Sequence, residues 1–158
     1  MSLNDPSLLK SKCYINGCWV DSPENQFTDV INPALLQTIA SVPNLSGRET
    51  HDAINAAEVA LKSWCKRTAV ERSDVLKKWF VLIKDNIDDL AMLITLEQGK
   101  PLQEAQGEVK YAASFIEWFA EESKRVYGEI IPQHQTDKRL MVIKQPVGVT
   151  AAITPWNF

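Results

Sequence analysis

The chain has 158 residues, of which 45% are hydrophobic and 23% are charged, a size and composition typical of one globular domain rather than a disordered segment. Its formal net charge of -3 argues against nucleic acid as a partner, because phosphate binding needs a concentrated basic patch. No apolar run approaches the roughly 18 residues of a membrane span, and the N-terminus lacks the apolar core of a signal peptide. These features predict a cytoplasmic protein without a membrane partner.

The first third of the chain predicts short antiparallel strands. Asn16-Gly17 lies between two apolar arms in CYINGCWV, which is the strongest short-range signal for a hairpin. The stretches QFTDVINPA and QTIASVP predict two further strands, which end at Pro33 and Pro43.

Helical periodicity begins at Ser46, the first residue of an S-x-x-E capping box. Thr68 begins a second capping box, and apolar residues recur after each box at steps of three and four. The second stretch predicts two helices broken near Asn86. Gly99 has the position of a left-handed C-cap, and Pro101 is predicted at the first position of the next helix.

The next helix is predicted to be long and apolar on two sides. Its main stripe consists of Ala105, Val109, Ala112, Ile116, Phe119 and Val126. Tyr111, Phe115 and Trp118 form a second side, so that both sides of the helix need a contact. The second side either packs between two layers or lines a substrate passage.

Strand signals return after Gly128. KRLMVIKQP has a lysine near each end and a closing proline, as expected of an edge or protruding strand. VGVTAAIT is short, uncharged and rich in β-branched residues, which predicts a strand buried in a parallel sheet. Such a strand needs neighbours, so we expect the chain to be a portion of a larger α/β protein whose sheet begins here.

Few residues could carry chemistry. Asn157 follows the predicted buried strand, where open α/β sheets bind ligands, and its amide could donate to a developing oxyanion or simply close a turn. The three cysteines and two histidines have no metal-ligand spacing, and no metal site is predicted. There is no G-x-G-x-x-G or Walker motif.

Several segments together resemble the N-terminal part of the aldehyde dehydrogenase superfamily, from about Tyr14 to the end. They are INGCWV, INPA, LEQGKPLQEAQGEV, YAASFIEWFAEESKRVYGEIIP and KQPVGVTAAITPWNF. YAASFIEWFAEE and DKRLMVIKQPVGV are most similar to the bacterial succinate-semialdehyde dehydrogenase branch.

The resemblance implies an α/β fold in which residues 1–158 are an incomplete N-terminal portion. This portion would hold short antiparallel strands, a helical layer and the start of a Rossmann-like cofactor sheet. Residues from about 136 to 146 would belong to a protruding strand element that pairs subunits into dimers or tetramers. Residues 147–158 would be the first strand and turn of the cofactor-binding sheet.

The resemblance also implies a mechanism. A cysteine thiolate attacks the aldehyde, hydride passes to NAD or NADP, and a glutamate-activated water releases the acid from the thioester. Asn157 would be the side-chain half of the oxyanion hole. The implied cofactor-binding residues are Ile153, Thr154, Pro155, Trp156 and Asn157. Phe158 would border the substrate tunnel, and Tyr111, Phe115 and Trp118 are candidates to line it.

The nucleophile and the general base of the family are missing from this sequence. The Gly-Gln-x-Cys and Glu-Leu-Gly-Gly patterns do not occur, and none of the cysteines matches the catalytic one. We therefore expect the chain by itself to be inactive. Glutarate semialdehyde or another short carboxylated aldehyde is an alternative substrate. A non-catalytic product that binds partner subunits is an alternative function.

Overall fold

A computed structural model describes residues 3–155. Four helices form one layer, flanked in sequence by three two-stranded antiparallel hairpins. The helices are α1 (Gly47–Trp64), α2 (Ala69–Asp85), α3 (Ile87–Gln98) and α4 (Leu102–Glu122). The strands pair as β1 (Cys13–Ile15) with β2 (Cys18–Val20), β3 (Phe27–Asn32) with β4 (Gln37–Pro43), and β5 (Glu129–Ile131) with β6 (Leu140–Val142). Short 3-10 turns span Pro6–Leu8 and Ser123–Arg125.

The helix starts follow the capping signals in the sequence. Ser46 and Thr68 form complete capping boxes with Glu49 and Glu71, in which each carboxylate accepts from the N-cap backbone N–H. The hydroxyl of Ser46, followed by backbone N–H donors, lowers the pKa of Glu49. The backbone N–H of Thr68, followed by its hydroxyl, lowers the pKa of Glu71. Asn86 separates α2 from α3 as predicted.

The turn after α3 is fixed by one glycine. Gly99 has φ +77 and caps the helix in the left-handed conformation, as its position in the sequence predicts. A Cβ on Gly99 would lie 3.1 Å from Cγ of Pro33, so the β3–β4 turn also packs closely on this residue. Pro101 precedes the first helical residue, Leu102, and lies one position earlier than predicted.

Small residues allow the helices to approach closely. Ala91, Ala105 and Val109 are buried at the centre, and Ile83, Ile87, Leu90 and Ile94 pack around them. Further along α4, the buried positions are Ala113 and Ala120.

The predicted main stripe of α4 is wrong in its second half. Phe119 is 58% exposed, Ala112 is exposed, and Val126 lies beyond the end of the helix. Ala113 and Ala120 are the buried residues in this half of the helix, because small side chains fit a close helix–helix contact, whereas larger residues turn outward.

The β5–β6 hairpin is an exposed ribbon. Ile130 and Met141 face each other in the ladder and are 87% and 75% exposed. Gly128 passes so close to the backbone carbonyl of Val142 that a Cβ there would overlap it. Short paired strands with exposed apolar side chains agree with the predicted edge character of KRLMVIKQP.

Residues 147–155 have no assigned strand in the structure. A strand is defined by its hydrogen-bonded ladder, and none of β1–β6 pairs with this segment. The predicted buried strand therefore stays a prediction. Within residues 3–155, no helix is long and apolar enough to cross a membrane.

We predict that Gly99→Ala destabilises the protein by about 1–3 kcal/mol, because alanine at positive φ is strained and its Cβ would meet Pro33. Urea unfolding measures the change. Gly107→Ala is the matched control, because Gly107 lies within α4 with open space around it. That variant should be neutral or more stable by about 0.5–1 kcal/mol. Equal effects of the two changes would contradict this account of Gly99.

Candidate functional site

The described part of the predicted cofactor segment is exposed. Ile153, Thr154 and Pro155 have no assigned secondary structure, and the Ile153 side chain is fully open to solvent. Trp156, Asn157 and Phe158 lie outside the described residues, so their predicted roles stay predictions.

The predicted second side of α4 is an exposed aromatic face. Tyr111, Phe115 and Trp118 are 51%, 47% and 63% exposed, so within the described structure no layer covers them. The rings of Tyr111 and Phe115 meet edge to face, with centroids 4.9 Å apart. Aromatic side chains of this size contribute a large apolar area to any surface that packs on them.

A groove of about 930 Å³ lies between α2 and α4 beside this face. Phe115 and Trp118 line it, together with Phe80, Val81 and Phe119. Tyr111 is not among its lining residues, and neither are Ile153, Thr154 and Pro155. The groove therefore brings together two of the three α4 residues predicted to line the tunnel, and Tyr111 lies outside it.

An ionic cluster that the sequence reasoning missed lies at one end of the groove. Glu121 accepts from Lys77 of α2 at 2.9 Å and from Lys124 at 2.6 Å. The hydrogen bond from Lys124, followed by that from Lys77, lowers the pKa of Glu121 from 4.5 to about 2. The sequence spacing of Glu121 and Lys124 could have indicated their pairing, but the contact with Lys77 depends on how α2 packs against α4.

Two further carboxylates lie near the start of α4. Glu108 forms a largely buried ion pair with Lys100, which directly follows Gly99 in the turn between α3 and α4. Glu97 lies in an apolar groove between α3 and α4, beside Ile94 and Val109, and desolvation there raises its pKa. Among residues 3–155, no group of three or more histidines, cysteines, aspartates or glutamates could hold a metal ion.

The model of the aldehyde dehydrogenase family matches residues 19–158. The chain belongs to the aldehyde dehydrogenase family. It is 59% identical to the glutarate-semialdehyde dehydrogenase of Pseudomonas putida and 58% identical to the succinate-semialdehyde dehydrogenase (NADP+) GabD of Escherichia coli. Both alignments cover the whole chain and 33% of the relative, so the chain spans about a third of the length of these relatives.

The fold agrees with that of solved members of the family. A crystal structure of an E. coli NADP-dependent enzyme matches 98% of this chain with a TM-score of 0.97 and 57% identity. The match covers 32% of that enzyme. The predicted α/β fold, with its short antiparallel strands and helical layer, is thereby confirmed for an aldehyde dehydrogenase N-terminal portion.

We predict that Lys77→Gln raises the pKa of Glu121, since it removes one of the two ammonium partners while Lys124 remains. Carboxyl NMR titration measures the pKa. Lys78→Gln is the control, because Lys78 is exposed and forms no ion pair within the described structure. An unchanged pKa of Glu121 in Lys77→Gln would mean that Lys124 alone sets it.

The lowered pKa also determines the pH range in which this cluster stabilises the fold. Glu121 ionises more readily in the folded chain, so the ion pairs contribute fully above its ordinary pKa of 4.5. Their contribution is lost as the pH falls through about 2.

Proposed function

We propose that this chain is the N-terminal portion of an NAD(P)-dependent dehydrogenase that oxidises succinate semialdehyde to succinate. The observation that carries the proposal is the 58–59% identity, over the whole chain, to enzymes named for succinate and glutarate semialdehydes. Both substrates are short aldehydes with a carboxylate at the far end. In such an enzyme, the reaction would return carbon from 4-aminobutyrate breakdown to central metabolism.

Succinate semialdehyde is the leading substrate because YAASFIEWFAEE and DKRLMVIKQPVGV resemble the succinate-semialdehyde branch. Glutarate semialdehyde is the alternative, and an identity difference of 59% to 58% does not separate the two relatives. The substrates differ by one methylene, for which a pocket discriminates by only about 10–200-fold.

Asn157 carries the catalytic role proposed for this chain. When a thiolate adds to the aldehyde carbon, the carbonyl oxygen gains negative charge and needs hydrogen-bond donors at fixed positions. The amide of Asn157 is proposed to donate one of these bonds, and the backbone N–H of the nucleophilic cysteine the other. Pro155, two residues before Asn157, has a restricted φ, which reduces the backbone freedom that must be lost when the donor is positioned.

The remaining proposed contacts surround the reacting atoms. Residues 153–156 are proposed to lie along the nicotinamide ribose of NAD or NADP, which accepts the hydride when it is bound. The exposed backbone of Ile153–Pro155 supports this assignment, because that surface is accessible to a ligand. Phe158, Tyr111, Phe115 and Trp118 are proposed to line the path of the aldehyde. The exposed aromatic side chains of α4 support this role, since they offer an apolar wall.

The chain by itself is proposed to be inactive and to act within a longer polypeptide in the cytoplasm. It contains neither the Gly-Gln-x-Cys nor the Glu-Leu-Gly-Gly pattern, so it supplies no nucleophile for the aldehyde and no base for the water. The β5–β6 ribbon is proposed to pair subunits into dimers or tetramers. Its exposed Ile130 and Met141 support this, because apolar side chains on an open strand favour pairing with another chain.

A non-catalytic chain that binds partner subunits is the second candidate, and the same exposed ribbon favours it. This function requires that the 158-residue chain associates with other subunits and does not reduce a nicotinamide. Static light scattering of the 158-residue chain tests the association, because a strictly monomeric chain would contradict this second function.

We predict that the full-length protein carrying these residues reduces NAD or NADP when given succinate semialdehyde, whereas the 158-residue chain does not. The absorbance of the reduced nicotinamide measures the activity of the full-length protein and of the 158-residue chain. Glutarate semialdehyde and an uncharged aldehyde of similar length complete the panel. Equal efficiency with the uncharged aldehyde would contradict a carboxylate-specific site, and activity of the 158-residue chain would contradict the proposed need for the missing cysteine.

We predict that Asn157→Ala in the full-length enzyme lowers kcat by about 10²–10³-fold, with a smaller change in KM, because the lost donor acts on the developing oxyanion. Asn44→Ala is the control, since Asn44 is an exposed residue between β4 and α1. A kcat unchanged by Asn157→Ala would remove the oxyanion role and leave Asn157 as a turn residue.

A further inference from the structure

Asp89 is a buried carboxylate that no proposed step of the reaction uses. It lies in α3 and is 5% exposed. Oδ1 accepts from the backbone N–H of Asn4 at 2.8 Å and from Nδ2 of Asn4 at 3.1 Å, and Oδ2 accepts from the backbone N–H of Asp5 at 2.8 Å. Within residues 3–155 no cation pairs with Asp89, so the N-terminal segment supplies the donors that compensate its charge.

The N-terminal segment is shaped to make these contacts. Asp5 accepts from the backbone N–H of Ser7 and caps the 3-10 turn Pro6–Leu8. Hydrogen bonding to the side chain of Ser7, followed by that to its backbone N–H, lowers the pKa of Asp5. Proline at the start of the turn presets its backbone. Leu3, Leu8 and Leu9 are half-buried, whereas the polar residues between them face solvent.

The far end of the same segment is attached to the β1–β2 hairpin. Lys12 forms an ion pair with Asp21 at 2.5 Å, just beyond β2. The ammonium of Lys10 lies 5.4 Å from the ring centroid of Trp19 in β2. Both contacts are exposed, and exposed ion pairs contribute little. Three hydrogen bonds to a buried carboxylate are therefore the strongest polar attachment of the segment.

We propose that residues 3–12 form a strap that holds the β1–β2 hairpin to the helical layer, and that Asp89 is its latch. Opening of the latch is a local event: residues 3–12 leave, water reaches the Asp89 carboxylate, and the helices stay folded. The strap connects α3, which it contacts through Asp89, to the β1–β2 hairpin at Cys13–Val20. This inference is independent of the proposed function, because it rests on hydrogen bonds at the opposite end of the chain from Asn157.

Asp89→Asn tests the latch with little change in volume. The carboxamide keeps one acceptor oxygen and places an N–H₂ group against a backbone N–H donor, so at least one of the three hydrogen bonds is lost. We expect hydrogen exchange of peptides covering residues 3–12 to accelerate about tenfold or more, while peptides from α2 and α4 keep their protection. Exchange followed by mass spectrometry of the full-length protein measures both regions at once.

Asp88→Asn is the matched control, because Asp88 is the neighbouring aspartate and accepts from Nε2 of Gln106 at the surface. It should leave exchange of residues 3–12 unchanged. Asn4→Pro is the second variant. It removes both groups with which Asn4 donates to Asp89, the backbone N–H and Nδ2, and it changes no residue of a helix. It should release the strap as Asp89→Asn does, and cleavage by trypsin after Lys10 and Lys12 should accelerate in both.

Three results would overturn the proposal. Exchange of residues 3–12 at the unprotected rate in the unaltered protein would show that the strap is not held. Unchanged exchange in both Asp89→Asn and Asn4→Pro would show that another contact holds it. Equal acceleration in the strap and in α2 and α4 would show that Asp89 belongs to the global fold and is not a local latch.

Discussion

The close contact of α4 with α2 and α3 is the constraint on which the rest of the structure depends. Ala105, Ala113 and Ala120 lie along the buried side of α4, and Ala91 of α3 packs in one cluster with Ala105. Alanine allows two helix axes to approach, but it contributes little apolar area to a core. The helical layer therefore buries little apolar area, and the larger aromatic side chains of α4 are exposed.

Two contacts connect the N-terminal part of the chain to this helical layer. One is the packing of the β3–β4 turn on Gly99, and the other is the set of hydrogen bonds to Asp89. The side chain of Asn32 accepts from the N–H groups of Ala34 and Leu35 and shapes the β3–β4 turn. Pro33 in that turn packs on Gly99, where a Cβ would lie only 3.1 Å from Cγ of Pro33. At the other edge of α3, Asp89 holds the first residues of the chain. α3, the shortest of the four helices, thus contacts the β3–β4 hairpin and also the N-terminal segment that leads into the β1–β2 hairpin.

Features with a local chemical cause could be predicted from the sequence. Asn16 and Gly17 both have positive φ, as a tight hairpin turn requires, and both capping boxes form as the S-x-x-E and T-x-x-E spacings indicate. The aromatic side of α4 was also predicted as a face that needs a contact. The family and the fold followed from segments distributed along the whole chain, which is why they could be identified without the nucleophile and the general base.

Features that depend on packing could not be predicted in this way. Ala112 and Ala113 are equally small neighbours, so periodicity alone does not decide which of them is buried. Lys77 and Glu121 are far apart in sequence and meet because α2 and α4 are adjacent. The segment VGVTAAIT has the composition of a buried strand, and composition does not supply the neighbouring strand that a ladder requires.

The exposed state of VGVTAAIT and the exposed aromatic face of α4 share one physical reason: each presents apolar groups that the described residues do not cover. Apolar surface of this extent is stable in water when further protein packs on it, and relatives three times as long as this chain contain the protein that could do so.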